Sequence, residues 1–443
     1  TEHIDSHHAA ALGDVPRYPT LEGEHRVDVA IVGGGLTGAA TALGLAERGV
    51  SVALVEARRI GWGASGRNGG QLTGSLSGDG AMLRQLTRRV GREEAQAFVR
   101  WLRWRGHAIV RERVARHAIE CELRSGHLHT AWSPSHVKGL RAALADARAA
   151  GLGEDEARWL TRDEVHEHLE TPLYHGGVLN RRNLHLHPLK LCAGEVRAAA
   201  SLGALVFEGS EVTRIEPRSA SASATARVST AAGSVRAEAV VLAGNAYHRL
   251  ERRRLAGLVI PAILGNLVTE RLDDATLRAI NPEQLAVYDS RVVLDYYRPT
   301  ADGRLLFGGG TNYSGRDIAD VADALRPALE RTFPRLDGVR IERAWTGTAA
   351  IVANRIPVVR RLGGGLHVMQ GYSGHGIATS HVASEVIVDA LAGDARRLET
   401  FESLRHWRVP AGNLAMALGM SWYRLLESGS DHAKRLISKS PRH

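Results

Sequence analysis

The sequence predicts an α/β protein in which a parallel, Rossmann-like nucleotide-binding domain is interleaved with an antiparallel-sheet domain. Three observations predict it. VDVAIV (27–32), a glycine-rich turn, the helix-spaced AATALGLAER and VSVALVE (50–56) make one βαβ unit of about thirty residues. A second glycine-rich strand–turn–helix, LHVMQGYSGHGIATSHVASEVIVDAL, begins at 366. Between the two, α/β and β-rich blocks alternate, a pattern that suggests two interleaved domains rather than two consecutive ones.

The elements follow in order. Residues 1–24 lack periodicity and carry Pro16 and Pro19, so they read as an extended lead. Gly49 stops the first helix. From 82 to 117 the pattern is helical and rich in Arg and Glu; 118–182 mixes β-prone pieces such as IECELRSGHLHTAW with a helix, HVKGLRAALADARAAG. HPLKLCAGEVRAAASLG (187–203) is a helix with Pro188 in its first turn and Gly203 at its end. Short strands follow to AEAVVLAGNAY (237–247), then a β-rich section from 256 to 343 with RVVLDYYR and GRLLFGGG. The tail from 401 holds an amphipathic helix candidate, NLAMALGMSWYRLLE. This order assigns 25–117, 183–255 and 341–400 to the nucleotide-binding domain, 118–182 and 256–340 to a substrate domain, and 401–443 to a helical tail.

Composition narrows the functional classes. At 443 residues the chain is too long for one ordinary core. With 44% hydrophobic residues and no uninterrupted apolar run of roughly eighteen, it reads as globular without a membrane span. TEHIDSHHAA lacks the basic start and apolar core of a secretory signal, and two cysteines, Cys121 and Cys192, make no disulfide framework, so a cytoplasmic setting is expected. The net charge of +9 raises nucleic acid as a partner. All but four of the 57 basic residues are arginine, spread along the chain among Asp and Glu, so a solvated surface is the better account and no nucleic-acid partner is expected.

Gly33, Gly35 and Gly38 form G-x-G-x-x-G directly between strand and helix. The first permits the tight turn, the second lets the backbone meet a pyrophosphate and the third lets the helix pack closely on the strand. The helix N-terminus adds partial positive charge for phosphates. Glu56, at the end of the second strand, is placed to accept hydrogen bonds from ribose hydroxyls. A dinucleotide is the expected ligand.

The stretch that follows, RRIGWGASGRNGGQL (58–72), identifies which one. From the VGGG motif through GWGASGRNGGQ to the WYRL tail, the sequence resembles the FAD-dependent D-amino-acid oxidase and amine oxidoreductase family, most nearly its gamma-glutamylputrescine oxidoreductase branch. The resemblance implies a glutathione-reductase type FAD-binding domain under an antiparallel-sheet roof. It places Gly33, Gly35, Leu36, Thr37 and Gly38 at the phosphates, and Glu56 with Ala57 at the second strand's end. Ser65, Arg67, Asn68, Gly70 and Gln71 would run beneath the pyrophosphate, ribityl chain and flavin ring. Val212 of EVTRIE would meet the adenine, and Ala243 and Gly244 would close over the cofactor. Gly371, Gly374, His375, Gly376 and Ile377 would present backbone N–H groups to the flavin pyrimidine end. Relatives that attach FAD covalently use a late cysteine or a histidine in the loop after the acidic residue. Here no cysteine follows Cys192 and no histidine lies between His25 and His107, so the FAD is expected to be noncovalent.

Other constellations admit a plainer account. Three His-x-His pairs, His127/His129, His166/His168 and His185/His187, have metal-like spacing, but nothing fixes a third ligand and no metal is assigned. In DYYR (295–298) Tyr296 and Arg298 share one face with Tyr297 opposite, as core tyrosines or as substrate contacts. Tyr296, Arg298, Tyr372 and His375 form the candidate catalytic set.

The resemblance implies oxidative deamination of a small-molecule amine, with hydride passing to the flavin, imine hydrolysis following, and oxygen or another carrier as acceptor. Family members acting on α-amino acids hold the carboxylate with an arginine shortly after Trp-x-Gly. In WTGTAAIVANRIP that position holds Ala349, and Arg355 lies too near Pro357 to match. A polyamine-derived or gamma-glutamylputrescine-like amine is therefore expected, with Arg298 the candidate cation for any distal carboxylate. The alternatives are a D-amino-acid or N-methylglycine oxidase or dehydrogenase, and a non-catalytic electron-transfer flavoprotein subunit.

Overall fold

Residues 27–32, the most apolar part of the first strand, form the buried end of Gly23–Val32, and this strand organises the first of two sheets. A computed structural model describes residues 2–412 apart from 75, 77, 150, 220–224, 315, 410 and 411. Gly23–Val32 pairs in parallel with Val52–Val55 on one side and with Gly233–Leu242 on the other. The sheet runs Val358–Gly363, Leu366–Gln370, Gly233–Leu242, Gly23–Val32, Val52–Val55, Leu205–Phe207, with Ala226–Ser229 and Arg214–Glu216 folded onto it. Val52–Val55 is apolar at every position because both faces are covered.

One cover is the Leu36–Ala46 helix, LTGAATALGLA, every residue of which is buried. It lacks a polar stripe because the helices Pro188–Ser201 and Gly376–Leu391 pack on it and Arg113, from the helix Arg92–Arg116, reaches the Ala40 carbonyl. Gly49 stands just beyond it at φ +73°, and Pro188 opens the Pro188–Ser201 helix, both where the sequence places them.

Among the described residues the second sheet has nine strands and runs Ile341–Ile351, Ile260–Thr269, Leu305–Asn312, Tyr296–Pro299, Ala286–Asp289, Arg124–Thr130, Gly177–His185, Gln71–Leu72, with Ala157–Leu160 beside Gly177–His185. All its pairings are antiparallel except Ala286–Asp289 with Arg124–Thr130. Its own core gathers Tyr297, Phe307 and Phe333; the Tyr297 ring stacks on Phe307 at 5.7 Å. The fold is the interleaved α/β architecture that the sequence predicts.

Three details differ from the sequence expectation. Ile341–Ile351 was assigned to the nucleotide-binding domain but pairs along its length with Ile260–Thr269 in the second sheet. Gly177–His185 crosses the expected boundary at 182. The first residues are no free lead. Ser6 caps a short helix, His7–Ala10, the His8 ring meets Trp345 edge-on at 5.5 Å, and the Trp62 indole donates to the Glu2 carbonyl at 3.1 Å. Polar residues and prolines hid this docking, which works through ring contacts and single hydrogen bonds. The tail helix candidate lies outside the described residues. Among the described residues, no helix is long and apolar enough to cross a membrane.

Candidate active site

The two sheets meet around a cavity of about 700 Å³. Its floor is the glycine turn. Gly33 has φ +110°, and a Cβ there would stand 2.9 Å from the Gly244 nitrogen, so the turn and the end of Gly233–Leu242 close on each other. Gly38 seats the helix on the strand: its Cβ would lie 1.9 Å from the Gly33 carbonyl oxygen. The Leu36–Ala46 helix starts at Gly35 with no cap from that residue; instead the Leu36 N–H donates to Ser65 Oγ at 2.8 Å. Glu56 accepts the Gly34 N–H at 2.6 Å and the Arg58 N–H at 2.9 Å, and burial raises its carboxyl above the usual range.

The loop 61–70 is held by its own side chains. Asn68 donates to the carbonyls of Ala64 and Ser65 and accepts the Gly70 N–H at 2.8 Å. Arg67 lies over the Trp62 ring at 4.1 Å and donates through Nε to the Trp62 carbonyl. The Gln71 amide donates to the carbonyls of Val287 and Tyr297, tying the loop to the second sheet.

Opposite, the Gly376–Leu391 helix begins at His375 without a side-chain cap, with Gly374, His375, Gly376 and Ile377 at the cavity wall. Tyr372 and Thr37 join hydroxyls at 2.9 Å, linking the two helix starts. His375 Nδ1 is 2.8 Å from Thr73 Oγ1; burial, aided by the Arg355 charge, pushes its imidazole down to about 4. It is neutral at pH 7.

The second sheet supplies the remaining wall. Tyr296 donates to Asn266 Oδ1 at 2.8 Å. His129 stacks on Tyr288 at 4.2 Å and is pushed down to about 4 by burial. The turn 290–294 reaches over the cavity and is clamped at its base: Arg291 binds both oxygens of Asp289, reaches Asp295, and lies 3.7 Å from the Trp132 ring centre. Sequence reasoning passed over this clamp; the spaced charges of DSRVVLD were its one signal.

Of the residues singled out from sequence, Gly33, Gly35, Leu36, Thr37, Glu56, Ser65, Arg67, Asn68, Gly70, Gln71, Ala243, Gly244, Gly374, His375, Gly376, Ile377, Tyr296 and Tyr372 line this one cavity. Gly38 lies behind its floor, Ala57 is exposed and outside the lining, and Gly371 donates its N–H to Asn245 Oδ1. Val212 precedes Arg214–Glu216 and packs against the first sheet's other core, away from the cavity wall. Arg298 is a correction. It is 2% exposed, donates to the carbonyls of Gly69 at 2.7 Å and Pro299 at 3.2 Å, and lies behind the loop instead of at the cavity wall. Strand alternation put it on the face of Tyr296, but Gly69 and Gly70 occupy the space in front of it.

Two helix starts without a cap from their own first residue, a glycine floor and a half-buried carboxylate fit an elongated dianion bearing a ribose diol. The cradle at Gly33 and Gly35 has no room for a Cβ, so backbone there is free to approach a ligand.

Comparison with known proteins agrees. A family model described as DAO, FAD dependent oxidoreductase, matches residues 28–390. Gamma-glutamylputrescine oxidoreductase of Escherichia coli (strain K12) is 37% identical over 441 residues, covering 96% of this chain and 98% of that protein. A probable oxidoreductase, OrdL of Rhizobium meliloti (strain 1021), is 30% identical over 95% of this chain and 96% of its own length. Glycine oxidase from Geobacillus kaustophilus shares the fold, with a TM-score of 0.70 at 24% identity, over 86% of this chain and 100% of that one. With its glycine cradle inside the matched span, the chain belongs to the DAO family of FAD-dependent oxidoreductases.

Proposed function

We propose that this oxidoreductase oxidises an amine whose reacting carbon bears no carboxylate, polyamine-derived or gamma-glutamylputrescine-like. The observation that carries this reading is Ala349. It lies at the cavity wall in Ile341–Ile351, paired with Ala262, where an α-amino-acid enzyme of this family would carry a carboxylate clamp. A methyl group cannot replace a bidentate guanidinium. The likeness to gamma-glutamylputrescine oxidoreductase supports the same class.

FAD, when bound, supplies the two-electron acceptor for hydride from the amine-bearing carbon. The chain does the rest. Ser65 and the Leu36–Ala46 helix start would hold the phosphates, and Glu56 would take the ribose. The Gly376–Leu391 helix start offers partial positive charge at the cavity wall, which would stabilise negative charge on a bound flavin. Tyr296, Tyr288 and His129 form an aromatic wall that excludes water and holds the amine in its neutral form. His375, neutral and oriented by Thr73, can accept a proton at a ring nitrogen. The imine released takes up water and hydrolyses to a carbonyl compound and ammonia or a smaller amine. In this division the first sheet binds the cofactor noncovalently and the second roofs the substrate.

Anaerobic mixing tests the reading. Mono-acylated diamines should bleach the flavin with kcat/KM at least roughly a hundredfold above D-alanine, glycine and sarcosine, the scale of a lost charged contact. Efficient turnover of a simple D-amino acid or of sarcosine would replace it with the amino-acid reading. A flavin that no amine bleaches would point to an electron-transfer subunit.

A further inference from the structure

Among the described residues, five charged side chains line the cavity: Glu56, Arg67, Asp289, Arg291 and Arg355. Glu56 is bound by two backbone N–H groups, and Asp289 and Arg291 neutralise each other. Arg67 is stacked on Trp62 and bonded to its carbonyl. Arg355 differs: among the described residues its guanidinium has no hydrogen-bond or carboxylate partner, although it is half-buried at the cavity wall.

Its backbone is fixed. The Arg355 N–H donates to the Val352 carbonyl at 2.9 Å, and neighbouring Asn354 bonds the Arg405 carbonyl at 2.7 Å. Gly78 packs so closely that a Cβ there would lie 2.6 Å from the Arg355 carbonyl oxygen. Arg355 has φ +62°, a left-handed conformation that disfavours a side chain. A strained, pinned turn thus holds a long unpaired cation in the cavity. Arg355 lines the same cavity as Tyr296, Tyr288 and His129, the second sheet's aromatic wall. A ligand that fills the cavity removes water from the guanidinium, and unless it brings an acceptor the cation is left unsatisfied.

We infer that Arg355 is a specificity-determining residue that pairs with a carboxylate carried by the substrate away from its reacting amine. The inference rests on the amine reading above and adds to it: the preferred amine is anionic at its far end. Ala349 leaves the near end uncharged and Arg355 charges the far one, which separates this substrate class from free diamines and from simple α-amino acids.

Two probes test it on the FAD-loaded enzyme, N-(4-aminobutyl)glutaramic acid and its near-isostere without the carboxylate, N-(4-aminobutyl)butyramide. Binding is read from the perturbation of flavin absorbance, and turnover separately from anaerobic bleaching. The wild-type protein is expected to prefer the acid by roughly a hundredfold, the scale of one charge pair at a desolvated site. Arg355→Met should collapse that ratio to within about tenfold, and Arg355→Lys should keep part of it. Equal binding of the two probes to the wild-type protein, or a preference that survives Arg355→Met, would overturn the proposal. So would an equal loss for both probes in Arg355→Met, since that places the residue at the cofactor. If neither compound bleaches the flavin, the amine reading fails, and the binding ratio still decides the role of Arg355.

Discussion

The helix seat at Gly38 gives the sharpest test of the site's architecture. In Gly38→Ala the new Cβ starts 1.9 Å from the Gly33 carbonyl oxygen and 3.1 Å from Leu54 Cδ1. Ordinary contact needs ~3.4 Å, so one of two backbones must yield by ~1.5 Å, and overpacking of this kind costs about 1–3 kcal/mol. If the helix yields, it also carries Leu36 off Ser65 and Thr37 off Tyr372, hydrogen bonds of 2.8 and 2.9 Å. Each contributes about 1 kcal/mol. The expected total is about 3–5 kcal/mol, with flavin lost because the moved turn is the cofactor's floor. Gly139→Ala is the matched control. Gly139 lies in the exposed middle of the Pro134–Ala149 helix, and a Cβ there meets nothing within 4 Å. That substitution should stabilise by about 1 kcal/mol. The assay is thermal unfolding together with bound flavin per polypeptide. Tm should fall by about 3–5 °C in Gly38→Ala and rise by about one degree in Gly139→Ala. A Gly38→Ala protein with unchanged Tm and full flavin would refute the seating described here.

The other predictions concern cofactor and pH. Glu56→Ala should purify largely without flavin, because the variant loses the ribose acceptor and strands the Gly34 and Arg58 N–H groups; full occupancy would remove Glu56 from that role. Acid precipitation should leave yellow flavin in the supernatant, and flavin in the pellet would show a covalent link. His107, His129 and His375 are each pushed down to about 4 by burial, while the unfolded chain titrates them near 6.5. Because the unfolded state binds those protons first, stability should be full above about pH 7 and fall as pH drops from about 6.5 toward 4. Each histidine adds a slope of about 1.4 kcal/mol per pH unit within that window. Urea midpoints that stay flat from pH 7 to 5 would contradict the burial of these rings.

Much of the fold and part of the site were legible in the sequence, for a physical reason. Gly33 takes a φ that side chains disfavour and Gly38 sits against the Gly33 carbonyl where a Cβ would not fit, so their spacing carries the structure with it. The apolar run 27–32 had to be a strand covered on both faces. Arg298 failed because alternation along a strand fixes the face of a side chain but not what stands in front of it. The clamp gathers Asp289, Arg291 and Asp295 within one turn of seven residues and sets it on Trp132, far upstream in the chain, and that pairing across space leaves no periodic trace. Arg355 was set aside because it missed a familiar spacing, yet the turn at 352–357 brings it to the cavity wall.

The pairing of Gly23–Val32 with Gly233–Leu242 also bears on how the protein is made. Gly23 registers with Gly233, so the strand at the centre of the first sheet waits for a neighbour about two hundred residues later in the chain. At a synthesis rate of about 5–20 residues per second that delay is roughly 10–40 s. Throughout it, the edge of Gly23–Val32 that Gly233–Leu242 will cover stays open, a template for pairing with other nascent chains. Slow or crowded expression should therefore favour inclusion bodies, and holdase chaperones that shelter this edge during translation should raise the soluble yield more than added flavin does.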